Sequence, residues 1–187
     1  MSSKFTTLLA ALLVSTSIAA TSIEANAAAK NTETKQSAEV AGFKRGNVVS
    51  FATKYPAGSI VVKTGERALY YVLGNGKAVR YAIAAPKKGF EWSGSHMVSQ
   101  KVKWPDWSPP AAMRKRRPEL PTYMAGGPEN PLGARAIYLG SSLYRIHGTN
   151  EPSSIGKAAS SGCIRMLNAD VSELYAHVKM GALVVVV

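Results

Sequence analysis

The sequence predicts a mainly β domain with one or two short helices, and three features carry that reading. β-Branched and aromatic runs recur from Val48 onward, an Asn-Gly pair separates two of them, and one late stretch spaces its apolar residues as a helix does. A length of 187 residues suits one globular domain plus a short appendage. With 46% apolar and 18% charged residues, a long disordered polymer is excluded. No internal repeat is visible. The single cysteine, Cys163, excludes an intrachain disulfide framework and any multi-cysteine zinc or iron–sulfur site. A formal net charge of +12 points to anionic surroundings or partners without specifying the anion.

Residues 1–27 read as an export signal rather than as part of the fold. Lys4 supplies a positive n-region, Phe5 to Ala20 an apolar stretch interrupted by Ser and Thr, and Ala25-Asn26-Ala27 the small residues that a signal peptidase reads. The hydroxyls weigh against a transmembrane helix, which needs about 20 predominantly apolar residues. A retained N-terminal anchor is the alternative, because the two kinds of segment overlap in length. No cysteine lies near the cleavage point, which excludes lipid attachment there. Cleavage after Ala27 removes Lys4 and Glu24, one charge of each sign, and leaves the net charge at +12. Residues 28–46, mostly Ala, Lys, Thr, Glu and Ser, are expected to form a flexible lead-in, with the domain proper spanning 47–187.

Within the domain, Ser59 to Thr64 is a β-branched run. Arg67–Leu73 and Lys77–Ala84 flank Gly74-Asn75-Gly76, a hairpin signal, since both residues of an Asn-Gly turn must accept positive φ. Met97–Val102 reads as a further strand. Residues 103–134 hold Trp104, Trp107, several prolines, the basic run Arg114-Lys115-Arg116-Arg117 and Gly126-Gly127, and are expected to lack any regular element. A loop of that length is functional or mobile. Ala136–Leu139 and Leu143–His147 form a second hairpin around Gly140-Ser141-Ser142. Asp170, with Glu173 three residues on, reads as a capping-box start to a helix carrying Val171, Leu174, Tyr175 and Val178, and Gly181 as its stop. Leu183–Val187 should lie inside the sheet, because its valines on an open edge would invite aggregation.

Chemistry concentrates in Ile146-His147-Gly148-Thr149-Asn150 and in Ser160-Ser161-Gly162-Cys163-Ile164-Arg165-Met166. Outside the cytoplasm a lone thiol is either buried or used. A thiol is nucleophilic as thiolate, and its pKa of about 8.5 falls beside a cation. His147 is the natural acid and base for it. Gly162 permits close backbone approach, and the N–H groups of Ser161, Gly162 and Cys163 are suited to meet a developing oxyanion. If the segment is extended, Cys163 and Arg165 share a face; on a helix they splay apart. Arg165 would then favour the thiolate and seat a substrate carboxylate. Each residue also has a plainer reading: Cys163 as a small buried apolar residue, His147 as a structural histidine, Arg165 as a surface ion-pair partner. His96 and His177 are expected to be structural or exposed. No paired-ligand motif supports a metal site, and the basic run is read as a solvated loop face rather than a nucleic-acid grip.

Together these segments resemble the L,D-transpeptidase catalytic domain family (YkuD-like), in the form found in Gram-negative envelopes. The resemblance covers about Ser59 to Val187, and rests on His147 followed 16 residues later by Cys163 within Ser160-x-Gly162-Cys163. It implies a β-sandwich-like or barrel-like fold and periplasmic location. The activity it implies is attack of a cysteine thiolate on the diaminopimelate–D-alanine bond of peptidoglycan stem tetrapeptides. The resulting acyl group passes to an amine, from another stem or from the Lys of an envelope protein. By motif position Cys163 is the nucleophile, His147 the acid and base, and the Gly148 carbonyl the orienter of the imidazole. Arg165, Asn150, Ser160, Tyr123 and Trp107 are the implied substrate contacts. Carbapenems are the implied inhibitors, and no metal or organic cofactor is required. Two departures stand out: Ser161 occupies a position where many members have His, and the upstream Thr-Pro-x-Gly appears as Glu91-Trp92-Ser93-Gly94. Two other functions fit the same residues, an L,D-carboxypeptidase or endopeptidase cutting the same class of bond, and a non-catalytic cationic wall-binding protein.

Overall fold

The computed structural model describes residues 42–187. The export signal expected at 1–27 and the lead-in up to residue 41 lie outside the described residues. In chain order the strands are β1 (Asn47–Ser50), β2 (Ile60–Lys63), β3 (Ala68–Gly74), β4 (Lys77–Ala82), β5 (Ala85–Pro86), β6 (Gly94–Lys103), β7 (Arg135–Leu139), β8 (Arg145–His147), β9 (Ala158–Ser160), β10 (Ile164–Arg165) and β11 (Leu183–Val186). Two helices interrupt them, α1 (Ala111–Arg116) and α2 (Asn168–His177). Nine of the strands hydrogen-bond in the order β1-β4-β3-β2-β11-β6-β7-β8-β10, and β5 pairs with β9 beside them. The mainly β architecture with two short helices is therefore the observed one.

The elements follow from local chemistry. Asn75 and Gly76 take φ values of 49° and 69°, the left-handed pair that lets β3 turn directly into β4. β11 enters the middle of the sheet, parallel to β2 (Val184↔Ile60) and antiparallel to β6 (Val185↔Ser95), so the valine run has no free edge. Ile60, Leu69, Val79, Ile137, Ile146, Ile164 and Val184 build one continuous core, to which α2 adds Val171, Leu174 and Val178. Burying each such side chain contributes about 1.5–3 kcal/mol.

Four expectations need correction. β6 is longer than Met97–Val102, extending at both ends to Gly94 and Lys103. The 103–134 segment contains α1, whose last turn carries Arg114, Lys115 and Arg116 and which buries no residue; straight-chain residues between Pro110 and Pro118 make one helical turn before proline ends it. Helix α2 begins at Asn168, two residues before Asp170, and ends at His177, well before Gly181. Asp170 does not cap it; its carboxylate meets Arg45 at 3.1 Å. Finally, the end of the supposed flexible lead-in is anchored. Phe43 stacks on His177 with ring centroids 3.8 Å apart. The Glu173 carboxylate accepts the N–H groups of Lys44, Arg45 and Gly46 at 2.6, 2.9 and 3.4 Å and the Tyr81 hydroxyl at 2.7 Å.

Burial alone would raise the Glu173 carboxyl, but the Tyr81 hydroxyl and the three amides outweigh it and hold it below the usual carboxylate range. Its folded form thus releases a proton more readily than the unfolded chain does. The stabilisation is present above the ordinary carboxylate pKa and is lost as pH falls through the depressed one. Replacing Glu173 by Ala strips an acceptor from these donors and is expected to cost about 2 kcal/mol, read as a fall of roughly 4–8 °C in Tm by circular dichroism at pH 7, with the gap to wild type closing in acid.

Candidate active site

The β7–β8 hairpin ends at His147, and β10 then lies parallel to β8 with Ile164 opposite Ile146 and Arg165 opposite His147. Partners in a parallel pair point to the same face of the sheet, and alternate residues point to opposite faces. The two isoleucines, fully buried, face the core. His147 and Arg165 face the other way. One step back along the same register, Cys163 stands opposite Arg145. Cys163 lies in the bend that leads directly into the extended pair Ile164–Arg165. All four line a single cavity of about 930 Å³, whose rim includes Trp107, Tyr144, Asn150 and Ser161.

His147 is buried, and its Nδ1 lies 2.6 Å from the Gly148 carbonyl. A carbonyl only accepts, so Nδ1 carries the hydrogen and Nε2 the lone pair. Burial first, then the charges of Arg165 and Arg145, push the imidazole down to about 3, against the opposing pull of the Gly148 and Leu132 carbonyls. Its partner across the hairpin is Ala136, a small residue that leaves the ring room. Burial pushes the Cys163 thiol up, while Arg145 and Arg165 act to lower it. The thiol lies 3.8 Å from the Leu143 carbonyl. Both shifts favour the neutral forms, thiol and imidazole.

Two braces hold these segments, and neither was assigned a role from the sequence. The first is Asn168, at the start of α2. Its Oδ1 accepts the N–H groups of Ala134 and Thr149, both at 3.0 Å, and its Nδ2 donates to the Thr149 carbonyl at 2.9 Å. A Cβ on Gly148 would stand 2.1 Å from that Oδ1, which is why glycine follows the histidine. The second brace is Trp92, from the departing Glu91-Trp92-Ser93-Gly94 segment. Its Nε1 donates to the Gly162 carbonyl at 2.7 Å, and its ring stacks on Tyr144 at 4.2 Å between centroids. Gly162, at φ 115°, sits so close beside Tyr144 that a Cβ would come within 2.7 Å of that ring. An asparagine five residues after the cysteine, and an indole two residues before a glycine, were the available signals.

The remaining candidates divide. Ser160 is buried; its hydroxyl donates to the Cys163 carbonyl and accepts the Gly162 N–H at 3.3 Å. It therefore shapes the cysteine loop, and the Gly162 amide is already engaged rather than offered to an oxyanion. Arg165 lines the cavity and also meets Glu151 at 3.3 Å, an ion pair at the cavity wall. Asn150 lines the cavity with its Nδ2 donated to the Glu129 carbonyl at 2.8 Å. Trp107 lines it too, tied by main chain to Met124. Tyr123 stands apart: it is 56% exposed, is not among the residues lining the cavity, and its hydroxyl partners Asp106.

Over residues 57–186 the sequence matches the family of L,D-transpeptidase catalytic domains, YkuD. The chain belongs to that family. It is 37% identical over 135 residues to a probable L,D-transpeptidase ErfK/SrfK of Escherichia coli (strain K12), a match covering 68% of this chain and 43% of that relative. The chain thus spans less than half the length of that relative. Among solved structures, a Brucella melitensis protein titled a probable carnitine operon oxidoreductase caia shares 43% identity over 74% of this chain and 91% of its own, with a TM-score of 0.51. L,D-transpeptidase 3 from Mycobacterium tuberculosis, solved with a faropenem-derived adduct, shares the fold at 14% identity and a TM-score of 0.52, over 68% of this chain and 59% of its own.

Two outcomes follow from the site geometry. The His147 ring is expected to give ¹⁵N NMR signals of a neutral Nδ1–H imidazole at pH 5. Because its folded pKa lies below the unfolded 6.5, stability is complete above pH 6.5 and falls as pH drops from there towards about 3. Asn168→Ala leaves two amides and a carbonyl without their partner and is expected to cost about 2–3 kcal/mol in denaturant unfolding, together with slower alkylation of Cys163.

Proposed function

We propose that the chain is an exported peptidoglycan L,D-transpeptidase working in the periplasm by a cysteine acyl-enzyme mechanism. The observation that carries this reading is the β8–β10 register, which gathers a thiol, an imidazole and two guanidinium groups at one open cavity. Family membership and the probable L,D-transpeptidase ErfK/SrfK support it.

In this mechanism the thiol proton passes to His147, whose Nδ1–H is held by Gly148. The sulfur adds to the carbonyl carbon of the diaminopimelate–D-alanine bond. The oxyanion that forms is met by the main-chain amides of Ser161 and Cys163, since that of Gly162 is turned to Ser160. Collapse of the tetrahedral species breaks the C–N bond, and the departing D-alanine amine takes the proton back from His147. An acceptor amine, from a second stem or a protein lysine, then gives a proton to His147, attacks the thioester and frees the thiol. Arg165, anchored by Glu151, seats a donor carboxylate. The faropenem-derived adduct of the mycobacterial structure supports β-lactams of the penem and carbapenem type as acylating agents here.

Incubation of the protein with disaccharide-tetrapeptide, analysed by mass spectrometry, tests the reading. Dimeric muropeptide or exchanged D-amino acid is the expected product, and Cys163→Ala should lower its formation at least about 10³-fold. Tripeptide alone would identify a hydrolase. No turnover, together with full biological activity of Cys163→Ala, would identify a wall-binding protein instead.

A further inference from the structure

Arg145 occupies a position that the proposed mechanism leaves unused. It lies in the middle of a row of three residues across adjacent strands. Tyr138 is its antiparallel partner on β7, and Cys163 follows from the β8–β10 register on the other side. Its guanidinium sits 5.0 Å from the centre of the Tyr138 ring, which supports the cation from one flank. The side chain lines the cavity, yet its Nε is buried and has no hydrogen-bond acceptor. Among the described residues no carboxylate forms an ion pair with it, whereas Arg165 is held by Glu151. A buried N–H without an acceptor is costly, and structures seldom retain one without compensation. Lining the same cavity, one register step before the Ile146–Ile164 pair, is the Cys163 sulfur, which becomes an acceptor with full negative charge once it loses its proton.

We propose that Arg145 is a catalytic residue of this site: its guanidinium receives the Cys163 sulfur as thiolate and holds that charge until the sulfur attacks. This deepens the cysteine acyl-enzyme reading and rests on it for its catalytic meaning. The step balances simply. The S–H bond breaks, the proton goes to the lone pair of His147, and the electron pair left on sulfur is met by the unpartnered Nε–H of Arg145. Arg145 gives up no proton and is charged throughout. The direction of its influence on the thiol agrees, since its charge favours the anion against burial. The other ionisable groups lining the same cavity are His147, Arg165, Glu151, Tyr144, Lys87, Arg116, Arg117 and Glu129. None of these shares the register of Cys163.

The test is the rate of iodoacetamide alkylation of Cys163 against pH in the whole protein, a readout that needs no peptidoglycan. Arg145→Gln is expected to move the midpoint up by about one unit and to slow alkylation at pH 7 about tenfold, with Arg145→Lys recovering part of the loss. Arg165→Gln should move it less. A folded Arg145→Gln protein whose profile superimposes on wild type overturns the proposal. Wild-type protein supplies an independent measurement. The Arg145 Nε–H resonance should shift with the same midpoint as the alkylation profile and stop doing so once Cys163 is S-methylated, and a resonance that stays still as the thiol titrates also overturns it. Alkylation that depends on Arg145 in a protein making no cross-linked muropeptide would leave this assignment standing and remove the transpeptidase. The reverse result would do the opposite.

Discussion

The parallel pairing of β8 with β10 is the constraint on which the site depends. Two short segments, separated by a long excursion through Thr149 to Gly162, return side by side with Ile146 against Ile164. Both isoleucines are fully buried in the same core, so a slip of one residue would turn them out of it and drive His147 and Arg165 in. Apolar burial therefore sets the register, and the register places the polar residues. The functional face is held in place by hydrophobic packing on the opposite one.

Electrostatics then tunes what packing has arranged. The same two guanidinium groups act in opposite senses on the two reacting side chains. They disfavour a charged imidazole and favour a charged sulfur, while burial disfavours charge on both. The outcome is a site in which the neutral forms of both groups are favoured. Around it the hydrogen bonds run mostly to main chain: Asn168 to Ala134 and Thr149, Ser160 to Cys163, Trp92 to Gly162. Such contacts fix backbone rather than side chains, which suits a mechanism that relies on amides to meet an oxyanion.

Much of this was legible in the residues. Local rules sufficed for the hairpin at Asn75-Gly76 and for the interior position of Leu183–Val186, and the sequence motif pointed to the cavity that His147 and Cys163 both line. What escaped was non-local. Asp170 and Glu173 look like a capping box in sequence, yet their carboxylates serve Arg45 and the backbone of residues 44–46, more than 120 positions away. Tyr123 lies in the segment bordering the cleft but turns to Asp106, a partner that no spacing rule supplies. Arg145 looked like an ordinary strand residue because its significance lies in a neighbour 18 positions on, reached only through the β8–β10 register.

The insertion of β11 between β2 and β6 bears on how the domain assembles. Each side of the sheet contains locally connected pairs, β3 with β4 on one and β7 with β8 on the other, which close over short loops. Within the nine-stranded sheet the two sides are joined through β11, while the Ala84–Arg165 bridge and the β5–β9 pair tie them together beside it, so the sheet itself is continuous only once residues 183–186 are in place. Long-range closure of this kind makes folding slow and late. The order of strands in the sheet thereby makes its completion wait on β11, the strand that pairs with both halves.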